Sequence, residues 1–260
     1  MSSLRWTVSD TLVLAMRQLR RIPRQPDLLI GYTIQPVMFV LLFRYVFGGA
    51  IATPGFDNYA SYLMPGIIVQ SIAFGGFVTA LAIADDMNKG LIGRFRSLPM
   101  SRIAVLSGRA FADIALNALQ LVVLIGIGLV VGFGFGTDVL KVLLGILLLL
   151  GLGFAFSWVF CLIGLLSGSA ETSNAIGFTV IFPLTFASGA FVQPSTMPDG
   201  LRQFAEANPF TTLVDATRHL WIGGEAAPAN SDVWMSIVWI VAITVVASFL
   251  AVRRYRSLAG

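Results

Sequence analysis

Charge is what this 260-residue chain has least of: Asp, Glu, Lys and Arg together make up 12% of it, about half the usual share of a soluble domain. A soluble domain of this length covers its surface with polar groups, and this chain cannot supply them. Cysteine is nearly absent. Cys161 stands alone inside an apolar run, which excludes a disulfide framework and a Cys-based metal cluster. His219 is the single histidine, and no set of Cys, His, Asp and Glu has the spacing of metal ligands. The chain also lacks G-x-x-x-x-G-K-[ST], so it carries no loop to cradle a nucleotide phosphate. Neither G-x-S-x-G nor a Ser/His/Asp set occurs, which removes the usual hydrolase chemistry. No catalytic residues and no metal site are expected.

Apolar residues fill the space that charge leaves. They account for 57% of the chain, and the mean hydropathy is +0.84, which also excludes disorder. Residues 58–84, 114–137, 142–170, 172–198 and 233–252 contain no Asp, Glu, Lys or Arg. Each is long enough for a helix to cross a bilayer core, which takes roughly 20 residues. A shorter run, 28–43, continues past Arg44 to Phe47, with Arg44 near one end where it can snorkel. The reading is an all-α polytopic membrane protein with six transmembrane helices, at 28–47, 60–84, 109–132, 141–166, 173–192 and 234–252. The runs are continuous rather than alternating, which argues against a barrel. Within the spans, Asp113 follows Arg109 by four residues, a spacing that suits an ion pair. An ion-coupled carrier needs more buried carboxylates than this.

The basic residues set the orientation. Arg5, Arg17, Arg20, Arg21 and Arg24 precede the first span; Lys89, Arg94, Arg96, Arg102 and Arg109 follow the second; Arg253, Arg254 and Arg256 follow the last. The positive-inside rule places both termini and the 85–108 segment in the cytoplasm. The pI of 9.6 is thus a topology signal, and no basic patch is left over for nucleic acid. No apolar stretch before the first span resembles a cleavable signal peptide. A multi-pass location in the cytoplasmic (inner) membrane is expected, with residues 1–260 forming one transmembrane domain.

Three pieces lie outside the spans. In the N-terminal 27 residues, Val8, Leu12, Ala15, Met16, Leu19 and Ile22 recur at helical spacing beside arginines, and Pro23 and Pro26 end the pattern. That describes a helix lying in the inner-leaflet interface, or else a solvated basic tail. In the 85–108 segment, Met87, Leu91, Phe95 and Leu98 form a narrow apolar stripe on a short helix that Pro99 stops. Asp85 and Asp86 open that helix and Arg94 and Arg96 close it, as the helix dipole favours. Its stripe needs a membrane surface or a groove in another protein. In the outer 193–232 segment, stripes at 201–205 and 213–221 flank an Asn208-Pro209 break, two helices too short to span and suited to dipping back into the outer leaflet.

Pro36, Pro65 and Pro183 interrupt spans, and broken helices often line a pathway. Gln35, Phe39, Phe43, Phe182 and Phe186 beside these breaks are the candidate contacts for an apolar or aromatic solute.

Two motifs resemble the type-2 ABC transporter permease family, in particular its daunorubicin-resistance-like branch. One is Lys89-Gly90-Leu91-Ile92-Gly93-Arg94-Phe95-Arg96-Ser97-Leu98-Pro99-Met100-Ser101-Arg102. The other comprises Ile181, Leu184, Ala187, Ser188, Ala190, Met197-Pro198, Pro209-Phe210 and Arg218. Thr212 departs from the family's usual His, Arg, Ser or Tyr, Asp86 from its Glu, and Leu91 from its frequent Thr. The resemblance implies a permease that pairs with a second permease copy or a paralogue and with two copies of a separate ATP-binding subunit. ATP and Mg²⁺ would be bound there, with no cofactor in this chain. It implies that Asp85, Asp86, Lys89, Gly90, Leu91, Arg94, Phe95, Arg96, Leu98 and Pro99 couple to the ATPase. It further implies that Met197, Pro198, Asn208, Pro209, Phe210, Thr212 and Arg218 belong to an outer re-entrant cap. The expected function is ATP-driven export of a hydrophobic or amphipathic drug or antibiotic. Export of a lipid or polysaccharide and an ion-coupled carrier are the alternatives.

Overall fold

The computed structural model describes residues 4–21, 26–48, 59–89, 102–223 and 230–257. Among these, ten α-helices form and no strand. They are α1 (Leu4–Arg21), α2 (Pro26–Leu42), α3 (Tyr59–Gly75), α4 (Phe77–Asn88), α5 (Arg102–Val130), α6 (Val139–Ser167), α7 (Ala170–Phe186), α8 (Asp199–Ala207), α9 (Pro209–Trp221) and α10 (Ser231–Ser257). Pro26 begins α2 rather than ending the helix before it; a proline in the first turn sacrifices only an N–H that has no intrahelical partner.

Five stretches are long and apolar enough to cross a membrane: Ile30–Phe47, Tyr59–Asn88, Ala104–Val130, Val139–Ser167 and Asp232–Ser257. The expected span at 173–192 corresponds to α7, whose 17 residues extend about 26 Å at ~1.5 Å per residue, short of the ~30 Å core. Pro183 lies near its end, and the chain turns at 187–192.

Helix α6 is the axle. It is apolar all round, as a helix buried by its neighbours must be, and it touches α3, α4, α5, α7, α9 and α10. Asp138 caps its start by accepting the Lys141 N–H at 2.9 Å, and Gly168 closes it at φ +70°, where a side chain would be strained. Close approaches along its length depend on missing side chains. A Cβ on Gly164 would lie 2.7 Å from the Ala80 carbonyl oxygen, and one on Gly145 2.2 Å from Trp221 Nε1. Trp221 is fully buried and donates to the Val142 carbonyl at 3.1 Å, which fastens α9 to the start of α6.

Helix α1 packs across α5 at Gly108, where a Cβ would meet Leu14 Cβ at 2.8 Å, and Thr11 and Ser107 share a hydrogen bond of 3.0 Å. The stripe read from the sequence divides accordingly: Ala15 is buried, while Leu12 and Met16 are exposed. Arg44 donates to the Val131 carbonyl at 3.2 Å beside the C-terminus of α5, where a cation is favoured. Arg109 and Asp113 do not form the expected ion pair among the described residues. Asp113 takes a 2.5 Å hydrogen bond from Thr79 of α4, and Arg109 reaches the Val78 carbonyl at 3.4 Å. Both side chains are drawn across to the neighbouring helix, which offers partners a buried polar group needs.

Candidate functional site

Helices α2, α3, α5 and α7 enclose a cavity of about 330 Å³. Helical spacing explains its walls. On α2, Tyr32, Gln35, Pro36 and Phe39 share one face; on α7, Phe178, Phe182 and Phe186 repeat every four residues. Gln70, Ser71 and Phe74 come from α3, Val78 from α4, and Gln120 from α5. The lining holds no Asp, Glu, Lys, Arg or His.

One wall is a continuous stack of rings. Phe178 and Phe182 lie 4.8 Å apart, Phe182 and Phe186 4.2 Å, Phe186 and Phe191 5.0 Å, and Phe191 and Phe43 4.7 Å, all between 21° and 27° of coplanar. Phe39 extends the row to Phe43 at 5.9 Å. Offset stacks of this kind add about 0.5–1.5 kcal/mol per pair beyond burial. Of the candidate pathway residues, Gln35, Phe39, Phe182 and Phe186 thus line one cavity, and Phe43 continues its aromatic wall. Phe178 and Phe182 are partly exposed, so this wall is not fully covered by the described residues.

The facing wall is polar. Gln70 Nε2 donates to Thr185 Oγ1 at 3.2 Å, and Gln120 Nε2 to the Tyr32 carbonyl at 3.1 Å. Gln120 belongs to a stripe on α5, Arg109, Asp113, Asn117 and Gln120, at spacings of four, four and three. Gly153 of α6 makes room for it, since a Cβ there would lie 2.3 Å from Asn117 Nδ2. Tyr32 Oη reaches Asn117 Oδ1 at 3.5 Å. Sequence reasoning read Arg109 and Asp113 only as a pair and missed Asn117 and Gln120, together with Tyr32 and Phe191. The signal was present as polar residues at helical period inside an otherwise apolar span.

Above one end of the cavity sit α8, α9 and the 187–193 turn. Arg218 is 2% exposed. Its Nε and Nη2 donate to the Tyr62 carbonyl at 3.2 and 2.9 Å, Nη2 also to Ala190 O at 3.3 Å, and Nη1 to Asp215 Oδ1 at 2.9 Å. Its guanidinium carbon stands 3.7 Å over the Tyr62 ring, and Tyr62 Oη donates to Gly189 O at 2.8 Å. Burial pushes the Asp215 carboxyl above its usual range, and Arg218 opposes the rise. Asn208 joins α7 to α9: Nδ2 donates to Leu184 O and Ala187 O at 2.7 and 3.0 Å, while Oδ1 caps Phe210 N at 2.9 Å. Pro209 opens α9, and Phe210 is buried against Phe156. The Thr212 carbonyl accepts from Ser236 of α10. Met197 and Pro198 connect a short 3₁₀ turn to α8.

A family model described as ABC-2 type transporter matches residues 9–221, a stretch that contains every wall of the cavity and the Arg218 tie. The chain belongs to the ABC-2 type transporter family. Over 253 residues the permease is 32% identical to the daunorubicin resistance ABC transporter permease protein DrrB1 of Streptomyces coeruleorubidus, covering 96% of this chain and 87% of the relative. It is 24% identical over 249 residues to a protein of Mycobacterium tuberculosis (strain CDC 1551 / Oshkosh) named "Probable doxorubicin resistance ABC transporter permease protein DrrC", covering 96% and 89%. The permease is therefore a membrane-embedded transport subunit of an ABC exporter and not itself the ATPase.

The coupling positions divide. Gly90, Leu91, Arg94, Phe95, Arg96, Leu98 and Pro99 lie outside the described residues. Asp85, Asp86 and Lys89 are described, and they correct one expectation: the two aspartates do not open a separate helix but occupy the last turn of α4, with Lys89 as its C-cap. The apolar helix simply runs on. An acid at a helix C-terminus opposes the dipole, and the exposed Lys89–Asp85 pair at 2.6 Å offsets part of that.

Proposed function

We propose that the permease is the membrane half of an ATP-driven exporter that moves a hydrophobic or amphipathic compound, such as a drug or antibiotic, out of the cell. The observation that carries this reading is the cavity, aromatic on one side, amide-lined on the other, and without Asp, Glu, Lys, Arg or His. An apolar pocket with a few placed polar groups suits a small organic ligand, and the compounds named in both drug-resistance relatives give the reading its class.

In this reading α7 with the turn after it completes a sixth span, both termini face the cytoplasm, and the protein resides in the inner membrane. A second permease copy or paralogue covers the open side of the cavity. Residues 1–27 lie in the inner interface, 193–232 form the outer cap, and Gln35, Phe39, Phe43, Phe182 and Phe186 touch the cargo. Two ATP-binding subunits hold ATP and Mg²⁺ and receive the segment from Asp85 to Pro99 in a groove. The end of α4 supports such coupling, because Val78 of the cavity wall and Lys89 belong to one continuous stretch, about 16 Å long at ~1.5 Å per residue. A push on the segment is then a push on the cavity.

Co-reconstitution with the ATP-binding subunit in liposomes tests the proposal. Uptake of a fluorescent amphipathic compound into inside-out vesicles should require ATP and stop with vanadate. Uptake that follows a proton gradient without ATP would overturn it. Charge reversal at Arg94 and Arg96 should release the ATPase; a complex that survives it would remove the coupling role of that segment.

A further inference from the structure

An open groove of about 680 Å³ runs along the last turns of α10. Val245, Ser248, Phe249, Val252, Arg253 and Arg256 line it, and their steps of three and one residues trace a single helix face. Trp158 of α6 completes the lining. The chemistry is graded along the helix. Val245 and Phe249, both more than half exposed, lie toward one end; the two arginines lie at the other, and no acid lines the groove. From Val245 to Arg256 the helix rises about 16 Å at ~1.5 Å per residue, close to one leaflet of a ~30 Å core. The arginines fall in the last turns of the Asp232–Ser257 span, the level at which headgroups begin. The three arginines there are used in two ways. Arg254 donates to the Leu165 carbonyl at 3.4 Å, near the C-terminus of α6, and does not line the groove. Arg253 and Arg256 are exposed and hold no ion pair or hydrogen bond among the described residues.

We propose that this groove binds one anionic phospholipid of the surrounding bilayer, its phosphodiester held by Arg253 and Arg256 and an acyl chain lying along Val252, Phe249 and Val245. Guanidinium groups suit phosphate oxygens, which they can meet with two parallel N–H bonds, and a basic pocket beside a span is the setting in which anionic headgroups are recognised. Arginines that only fix topology need no common face, since the positive-inside rule counts charge and not direction. Here the two free arginines share their face with an apolar groove one leaflet long. A free phosphate offers the same headgroup chemistry but leaves the apolar length unfilled. The site is independent of the cargo cavity, with which it shares no lining residue.

The test uses the full-length permease, delipidated in a neutral detergent, with bound lipid counted by native mass spectrometry. Phosphatidylglycerol and phosphatidylcholine of identical chains are the probes. The unaltered protein should bind one phosphatidylglycerol about 10- to 30-fold more tightly than phosphatidylcholine, as two arginines near a headgroup imply. Arg253→Gln and Arg256→Gln should each cut that preference about 5-fold. Arg254→Gln removes the same charge from the same turn but outside the groove, and should leave the preference unchanged. Phe249→Ala should weaken both lipids alike, and millimolar inorganic phosphate should displace neither. A preference that survives Arg253→Gln and Arg256→Gln, or that falls equally with Arg254→Gln, overturns the site in favour of a diffuse field of positive charge. Displacement by inorganic phosphate overturns the lipid as occupant. No saturable lipid binding, the outcome if a second copy of the chain covers the groove, overturns the proposal as well.

Discussion

Replacing Arg218 with methionine should loosen the cap from the bundle, and the structure sets the size of the effect. The guanidinium makes hydrogen bonds to the carbonyls of Tyr62 and Ala190 and to the Asp215 carboxylate, all at 3.3 Å or less, and lies over the Tyr62 ring. Methionine fills most of the volume but satisfies none of these acceptors. Breaking a buried ion pair by removing one partner costs about 3–5 kcal/mol. At roughly 2–4 °C per kcal/mol for a chain of this size, the thermal midpoint in detergent should fall by about 10 °C, as read by fluorescence-detected size-exclusion after heating. Arg218→Lys keeps the charge but not the fork, and should lose about half as much.

The pH dependence of that loss separates this reasoning from simple cavity formation. The Asp215 carboxyl is already raised by burial, with Arg218 pulling it down. Without Arg218 the carboxyl rises further above its unfolded value. A group raised in the folded state costs nothing while protonated, and stability is lost as pH climbs through its folded pKa. Arg218→Met should therefore be nearer to wild type at pH 5 than at pH 8. Adding Asp215→Asn should recover at least half of the deficit at pH 8, because the bare charge is gone. An equal deficit at both pH values, or a double variant worse than the single one, would refute the argument.

Gly164→Ala should lower the midpoint by several degrees, since its Cβ would meet the Ala80 carbonyl at 2.7 Å and overpacking against backbone costs about 1–3 kcal/mol. Thr79→Val removes the donor to Asp113 at nearly constant volume and should cost about 1–3 kcal/mol; Thr79→Ser should restore the midpoint. Phe182→Ala removes two stacking contacts, at 4.8 and 4.2 Å, and should raise the cargo KM in vesicles about 3- to 10-fold while the ATPase still co-purifies.

How much of this was legible beforehand differs by element. The long spans were, because a run of apolar residues has one solvent it can occupy and one backbone form it can take there. Helices α8 and α9 and the Asn208-Pro209 break were legible from spacing and from proline chemistry. The α5 stripe from Arg109 to Gln120 was written at helical period and was read only as far as Arg109 and Asp113, because attention fell on charge and its other two members are amides. Asp85 and Asp86 misled: acids favour the start of a helix, but here the apolar run preceding them carried α4 through to Asn88.

The sequence by itself determined the solvent and the class of fold, both of which follow from composition and period. It also named four of the residues that line the cavity, since prolines and phenylalanines mark broken, aromatic faces. Only the tertiary structure decided that those faces meet and that Arg218 lies across 156 residues from its acceptor at Tyr62. Such facts depend on which helix packs against which, and contacts between residues far apart along the chain leave no local trace in the order of amino acids.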